Sequence, residues 1–76
     1  MNKAISSEKY NRLIQKLKSS RLEQGLSMRD VAILINEPHS FVQKLEAAEK
    51  RLDVYQFTQY CKALNLNPSE LIKLLM

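Results

Sequence analysis

The stretch from Gly25 to Glu46, GLSMRDVAILINEPHSFVQKLE, limits what this chain can fold into more than any other part of it. Val31, Ala32 and Ile35 recur at helical spacing and share one face, while Val42 and Leu45 share another, so the stretch reads as two short amphipathic helices. Asn36, Glu37 and Pro38 interrupt the pattern between them. Asparagine tolerates the left-handed conformation that ends a helix, and Pro38 suits the first turn of the next, where its missing N–H is no loss. Two helices joined by so short a turn bury their apolar stripes against a common core, which the rest of the chain must complete.

With Val42 and Leu45 turned inward, the second helix of the pair faces outward with His39, Ser40, Gln43 and Lys44. None of these is acidic. Short hydroxyl, amide and amine groups suit a surface that enters the major groove of DNA and hydrogen-bonds to base edges, although any solvated helix face is also polar. The first helix of the pair opens with Ser27 as its cap, and Asp30 three residues later completes a capping box with Asp in place of Glu. Its N-terminus, presented by Ser27, Met28 and Arg29, is a seat for phosphate, because free N–H groups and the helix dipole both favour an anion.

Seventy-six residues with one glycine and no strand-length alternation of apolar and polar residues predict a single all-α domain. The net charge of +4 favours an anionic partner without requiring one. Cys61 stands alone, with no His or Cys at metal-ligand spacing, so the expectation is a reduced, cytoplasmic chain with no metal and no cofactor. Its place between Phe57 and Leu64 makes it a small core residue. No apolar run reaches membrane-spanning length, and Met1 to Glu8 lacks the apolar stretch of a signal peptide. One histidine, no phosphate-cradling glycine loop and scattered carboxylates (Glu46, Glu49, Asp53, Glu70) argue against an enzyme, and no catalytic residue is assigned.

Residues 1–7 read as a loose polar tail, whose Lys3 gives thin support to a minor-groove arm, and residues 8–76 as the folded domain. Ser6 or Ser7 caps a first helix from about Glu8 to Gln24, with Tyr10, Leu13, Ile14, Leu17 and small Ser20 on its inner stripe. Gly25 ends it, and Leu26 packs back on it. The third helix is expected to reach Ala47 or Ala48. A charged loop, Glu49 to Arg51, leads to Leu52 as an apolar anchor and Asp53 as the cap of a fourth helix over Val54 to Leu64, whose inner stripe is Val54, Phe57, Tyr60, Cys61 and Leu64. Asn65 ends that helix, and Asn67 with Pro68 starts a fifth through Leu71, Leu74 and Leu75. So short a final helix carries more apolar surface than it can bury within its own subunit, which makes Ile72, Leu75 and Met76 the expected dimer interface.

The order LKSSRLEQGLS, RDVAILI, SFVQKLE, KRLDVYQFTQYCKALNLNPSEL resembles the Cro and phage-repressor type of helix-turn-helix, the XRE family, without gaps from about Leu13 to Ile72. The resemblance implies a compact five-helix, lambda-repressor-like DNA-binding domain with helices 2 and 3 as the helix-turn-helix. It also implies a homodimeric transcriptional regulator, a repressor of its own or neighbouring genes, on a palindromic double-stranded operator. His39, Ser40 and Lys44 match base-reading positions with Gln43 beside them, and Ser27, Arg29, Lys50 and Arg51 lie in or near phosphate-contacting segments. Arg21 and Glu46 match positions that form a buried ion pair in many members, whereas Glu46 read alone is a surface charge.

Several residues depart from the family pattern. Asn36 and Ala48 stand where glycine is usual, and alanine tolerates such a position less well, so the loop after helix 3 is expected to be differently shaped. Met28 replaces a polar residue that bonds phosphate. His39 replaces a glutamine whose amide forks to adenine, so base preference there should differ. Phe41, where threonine or serine is common, is expected in the core rather than against a thymine methyl. Ile33 and Leu34 are apolar where the family exposes polar residues. With the apolar C-terminus they support an alternative, an antitoxin or antirepressor-type module on the same fold that binds a protein partner.

Overall fold

The helices begin where short polar side chains can accept their first free N–H groups. In the computed structural model, which describes residues 7–76, the helices are α1 (Glu8–Glu23), α2 (Met28–Ile35), α3 (His39–Glu46), α4 (Val54–Ala63) and α5 (Pro68–Ile72), followed by a 3₁₀ turn, Lys73–Leu75. Ser7 accepts from the Tyr10 amide, Ser27 from Asp30, Asp53 from Gln56 and Asn67 from Ser69. At α2 and α4 the third helical residue returns the bond, closing full capping boxes. Helix α3 is the exception: Pro38 is its cap rather than part of its first turn, and no side chain caps that end. Apart from Ser7, the expected tail and Lys3 lie outside the described residues.

Four helix ends share one device. Gly25, Asn36, Ala48 and Asn65 have φ of 70°, 57°, 60° and 58°, and after each the next amide donates to a carbonyl five residues back. The bonds are Leu26 to Arg21 (3.0 Å), Glu37 to Ala32 (2.9 Å), Glu49 to Lys44 (2.9 Å) and Leu66 to Cys61 (2.8 Å). The expectation of a differently shaped loop after α3 is therefore corrected. Ala48 takes up the left-handed conformation itself, because the closing bond from Glu49 and the half-buried Leu52 beyond it outweigh the Cβ clash. Ala48→Gly relieves that clash and should stabilise the domain by about 1 kcal/mol, read as a higher urea midpoint at unchanged slope. An unchanged or lower midpoint would mean that the turn holds no strain.

Helices α2 and α3 pack on each other, α2 also meets α4, and α1 touches both α3 and the C-terminal 3₁₀ turn. Ile14, Leu17, Val31, Val42, Leu45, Tyr60, Cys61 and Leu64 form the fully buried centre. Gln24 Nε2 donates to the Leu64 carbonyl at 2.7 Å, tying the end of α1 to the end of α4. Two inner stripes differ from expectation. Val54 is 81% exposed, because α4 starts there, at the rim of the bundle, with no element packed over that turn. The last segment leaves α-helical winding after Ile72, and in its tighter turn Leu74 stays exposed while Leu75 is only partly buried. Helices α3 and α4 also stop short of the expected ends, with Ala47 and Leu64 as their caps.

Candidate nucleic-acid interface

The face that α3 turns outward is fixed by the face it buries. Phe41, Val42 and Leu45 are in the core, which leaves Ser40, Gln43 and Lys44 exposed and His39 half-exposed along one side. Eight residues make a rod about 12 Å long, close to the width of the major groove. No acid lies on that face, and the four side chains together can both donate and accept hydrogen bonds. Phe41 is 6% exposed, so the choice between core and thymine contact falls to the core.

Helix α3 is held from behind by a buried ion pair. Arg21 Nε donates to Glu46 Oε2 at 2.7 Å and Arg21 Nη2 to Oε1 at 3.0 Å, a two-pronged contact in which the side chains are only 7% and 4% exposed. Arg21 Nη1 also donates to the Leu26 carbonyl at 2.8 Å, so one guanidinium ties α1 to the end of α3 and to the turn before α2. The bonds to Glu46 raise the Arg21 pKa against the opposing effect of burial, so the arginine stays charged. Tyr60, fully buried, lies within the field of this pair. Burial first and Glu46 second push its phenol far above the usual value, and its hydroxyl has no hydrogen-bond partner among the described residues.

At the start of α2 the Ser27 hydroxyl accepts from the Asp30 amide at 3.0 Å and the Ser27 amide donates to Asp30 Oδ2 at 2.8 Å. The Ser27 amide and hydroxyl both donate to the Asp30 carboxyl and hold it below its usual range, so an ionised acid sits at the start of α2. The exposed Arg29 remains as a donor to an outside anion. Met28 is half-buried against the core and offers no polar group there.

The loop between α3 and α4 carries Lys50 and Arg51. Lys50 Nζ lies 5.3 Å from the centre of the Phe41 ring and Arg51 Cζ lies 5.9 Å from that of Tyr10. The Tyr10 hydroxyl donates to the Lys50 carbonyl at 2.8 Å and accepts from the Leu52 amide at 3.2 Å. Sequence reading treats Tyr10 as one more stripe residue. The available signal was its hydroxyl, since a buried tyrosine usually finds a polar partner where phenylalanine need not.

The residues expected to form a dimer interface lie on α5 and the C-terminal turn. Ile72 and Met76 are 40% and 85% exposed, while Leu75 is partly buried against the core. Ile72 and Leu75 line an open, largely apolar groove with Leu13, Leu52, Val54 and Phe57. Ile33 and Leu34 stand exposed side by side on α2, at 73% and 55%. Among the described residues there is no cluster of side chains able to hold a metal ion and no helix long and apolar enough to cross a membrane.

A family model for the helix-turn-helix matches residues 17–71. Among solved structures, an XRE-family like protein from Pseudomonas syringae is similar at 36% identity over 87% of this chain and 82% of that one, with a TM-score of 0.80. The restriction-modification controller protein C.AhdI from Aeromonas hydrophila shares 26% identity, covering 82% of this chain and 90% of that one, with a TM-score of 0.75. The clp gene regulator ClgR from C. glutamicum has the same fold, with a TM-score of 0.78 at 19% identity over 91% and 90% of the two chains. No curated protein sequence matches.

Proposed function

The chain belongs to the XRE-type helix-turn-helix family, and on that footing we propose that it is a double-stranded DNA-binding transcriptional regulator, a homodimeric repressor of its own or neighbouring genes. The observation that carries this reading is the acid-free outer face of α3, braced by the buried Arg21–Glu46 pair. His39, Ser40, Gln43 and Lys44 read base edges in the major groove, and Ser27, Arg29, Lys50 and Arg51 hold phosphates. The similar controller and regulator proteins support this reading.

Size supports the dimer. The domain measures 30 × 27 × 23 Å and carries one such helix, whereas successive half-sites on one face of DNA lie about 34 Å apart. Two copies side by side match that spacing, joined through Ile72, Leu75 and Met76. Bound over a promoter, the dimer acts by occlusion.

Binding of the purified chain to duplex from upstream of its own gene, beside a shuffled duplex at two salt concentrations, tests the proposal. The expected result is two chains per native duplex and a preference for it that survives the higher salt. Equal binding to both, lost together as salt rises, would leave only attraction between a basic surface and phosphate. That outcome would favour the second reading, for which exposed Ile33 and Leu34 speak: an antitoxin or antirepressor-type module, recognised by co-purification with the product of an adjacent gene.

A further inference from the structure

A domain that reads bases with one element and grips phosphate with another must hold the two at a fixed separation. Here those elements are α3 and the loop that follows it, and the loop has no regular structure of its own. Helix α1 touches both. Arg21 near its end grips Glu46, the last residue of α3, and Tyr10 near its start reaches the loop at Lys50 and Leu52. Tyr10 and Arg21 stand eleven positions apart on the helix, about 16 Å of rigid rod.

We propose that Tyr10 is the positioning residue for the phosphate-gripping loop, its hydroxyl fixing the backbone of residues 50–52 so that Lys50 and Arg51 meet DNA in register with α3. The proposal rests on the DNA-binding reading above and assigns to α1 a part in it beyond packing. A single phenol makes both contacts because it is neutral: the hydroxyl donates its proton to the Lys50 carbonyl while a lone pair accepts from the Leu52 amide. The same ring lies beneath the Arg51 guanidinium, and Phe41 of α3 beneath the Lys50 ammonium. Each cation is thus steered twice, by the backbone it hangs from and by the aromatic face beside it. A loop held in this way before binding gives up less conformational freedom when phosphate arrives.

The fold does not require a hydroxyl at this position. A phenylalanine would bury the same ring beside Leu13 and Ile14, so Tyr10→Phe keeps the packing and removes only the two bonds. Three measurements on that variant, made with the native upstream duplex and the shuffled duplex, test the proposal. Amide exchange at Leu52 should speed up in the free protein whether or not DNA is ever added. Affinity should fall by the same factor for both duplexes, about three- to tenfold, and the slope of log affinity against log salt should become shallower by about one. In a Lys50→Ala/Arg51→Ala background, where no cation remains to be positioned, Tyr10→Phe should cause no further loss.

Unchanged affinity with faster Leu52 exchange would overturn the proposal, as would a loss confined to the native duplex, which would place the effect at α3. An equal loss in the background without the two cations would mark Tyr10 as merely structural and overturn it as well. A wild-type chain that does not prefer the native duplex, yet loses affinity and slope together on Tyr10→Phe, would overturn the repressor reading while supporting the loop's positioning. A wild-type chain that binds neither duplex would overturn both.

Discussion

Arg21→Met should lower the stability of the domain by about 3–5 kcal/mol, because it leaves Glu46 charged, 4% exposed and without its partner. A domain of 76 residues has on the order of 4–11 kcal/mol in total, so the loss is a large share of what keeps it folded. Thermal unfolding followed by circular dichroism should show a midpoint lower by about 12 °C or more. Arg21→Met/Glu46→Leu should recover much of the difference, since removing both charges leaves no ion stranded in the core. The recovery will be incomplete because the Leu26 carbonyl also loses its bond from Arg21. If the double variant melts as low as Arg21→Met alone, the stranded carboxylate is not the cause, and the lost Leu26 bond or the altered packing around Tyr60 is.

The same pair should link stability to DNA binding in this chain. Arg21 lies on α1 and Glu46 closes α3, so a variant that folds without the pair has lost one of the ties that set how α3 is presented. Binding by Arg21→Met/Glu46→Leu is therefore a more sensitive measure of the pair's positioning effect than its melting temperature. The charges fix a direction for α3, whereas leucine and methionine fix only a volume.

What the sequence revealed divides along physical lines. Local chemistry was legible: Ser27, Asp53 and Asn67 announced their helices, and Gly25, Asn36 and Asn65 their ends, because a cap or a positive φ depends on neighbours within a few residues. The stripes on α1 to α3 were legible through their period. Val54 was not, because its period matches Phe57 while its burial depends on whether another element reaches that end of the bundle. Ala48 misled because the expectation weighed its intrinsic conformational cost without the closing bond from Glu49. The contacts of Tyr10 with residues 40 and 42 positions away lay beyond reach, since no local pattern encodes the partner of a hydroxyl. For the candidate interface, the face of α3 followed from periodicity alone, whereas the joining of Arg21 to Glu46 followed from resemblance and not from the residues.

Lys44→Ala and Arg51→Ala should weaken DNA binding in different ways, and the difference tests the division of labour on this surface. Both side chains are exposed cations, so their charge alone predicts the same loss for each. Their settings differ. Lys44 projects from the rod that fits the groove, where a good contact to a base edge is worth about 1–3 kcal/mol, or roughly 5- to 150-fold in affinity. Arg51 projects from the loop after it, where the proposed partner is a phosphate, which every base pair carries. Measured against a panel of duplexes with single base-pair changes, Lys44→Ala should lose affinity for the native duplex while the penalty for changing one particular base pair disappears. Arg51→Ala should lower affinity by one factor across the whole panel and make the salt slope shallower by about one. Neither change should move the melting temperature by more than about 4 °C, since surface substitutions of this kind stay within about 0.5 kcal/mol. If both variants lose affinity uniformly, Lys44 is a phosphate contact, and base reading rests on His39, Ser40 and Gln43 in the first two turns of α3.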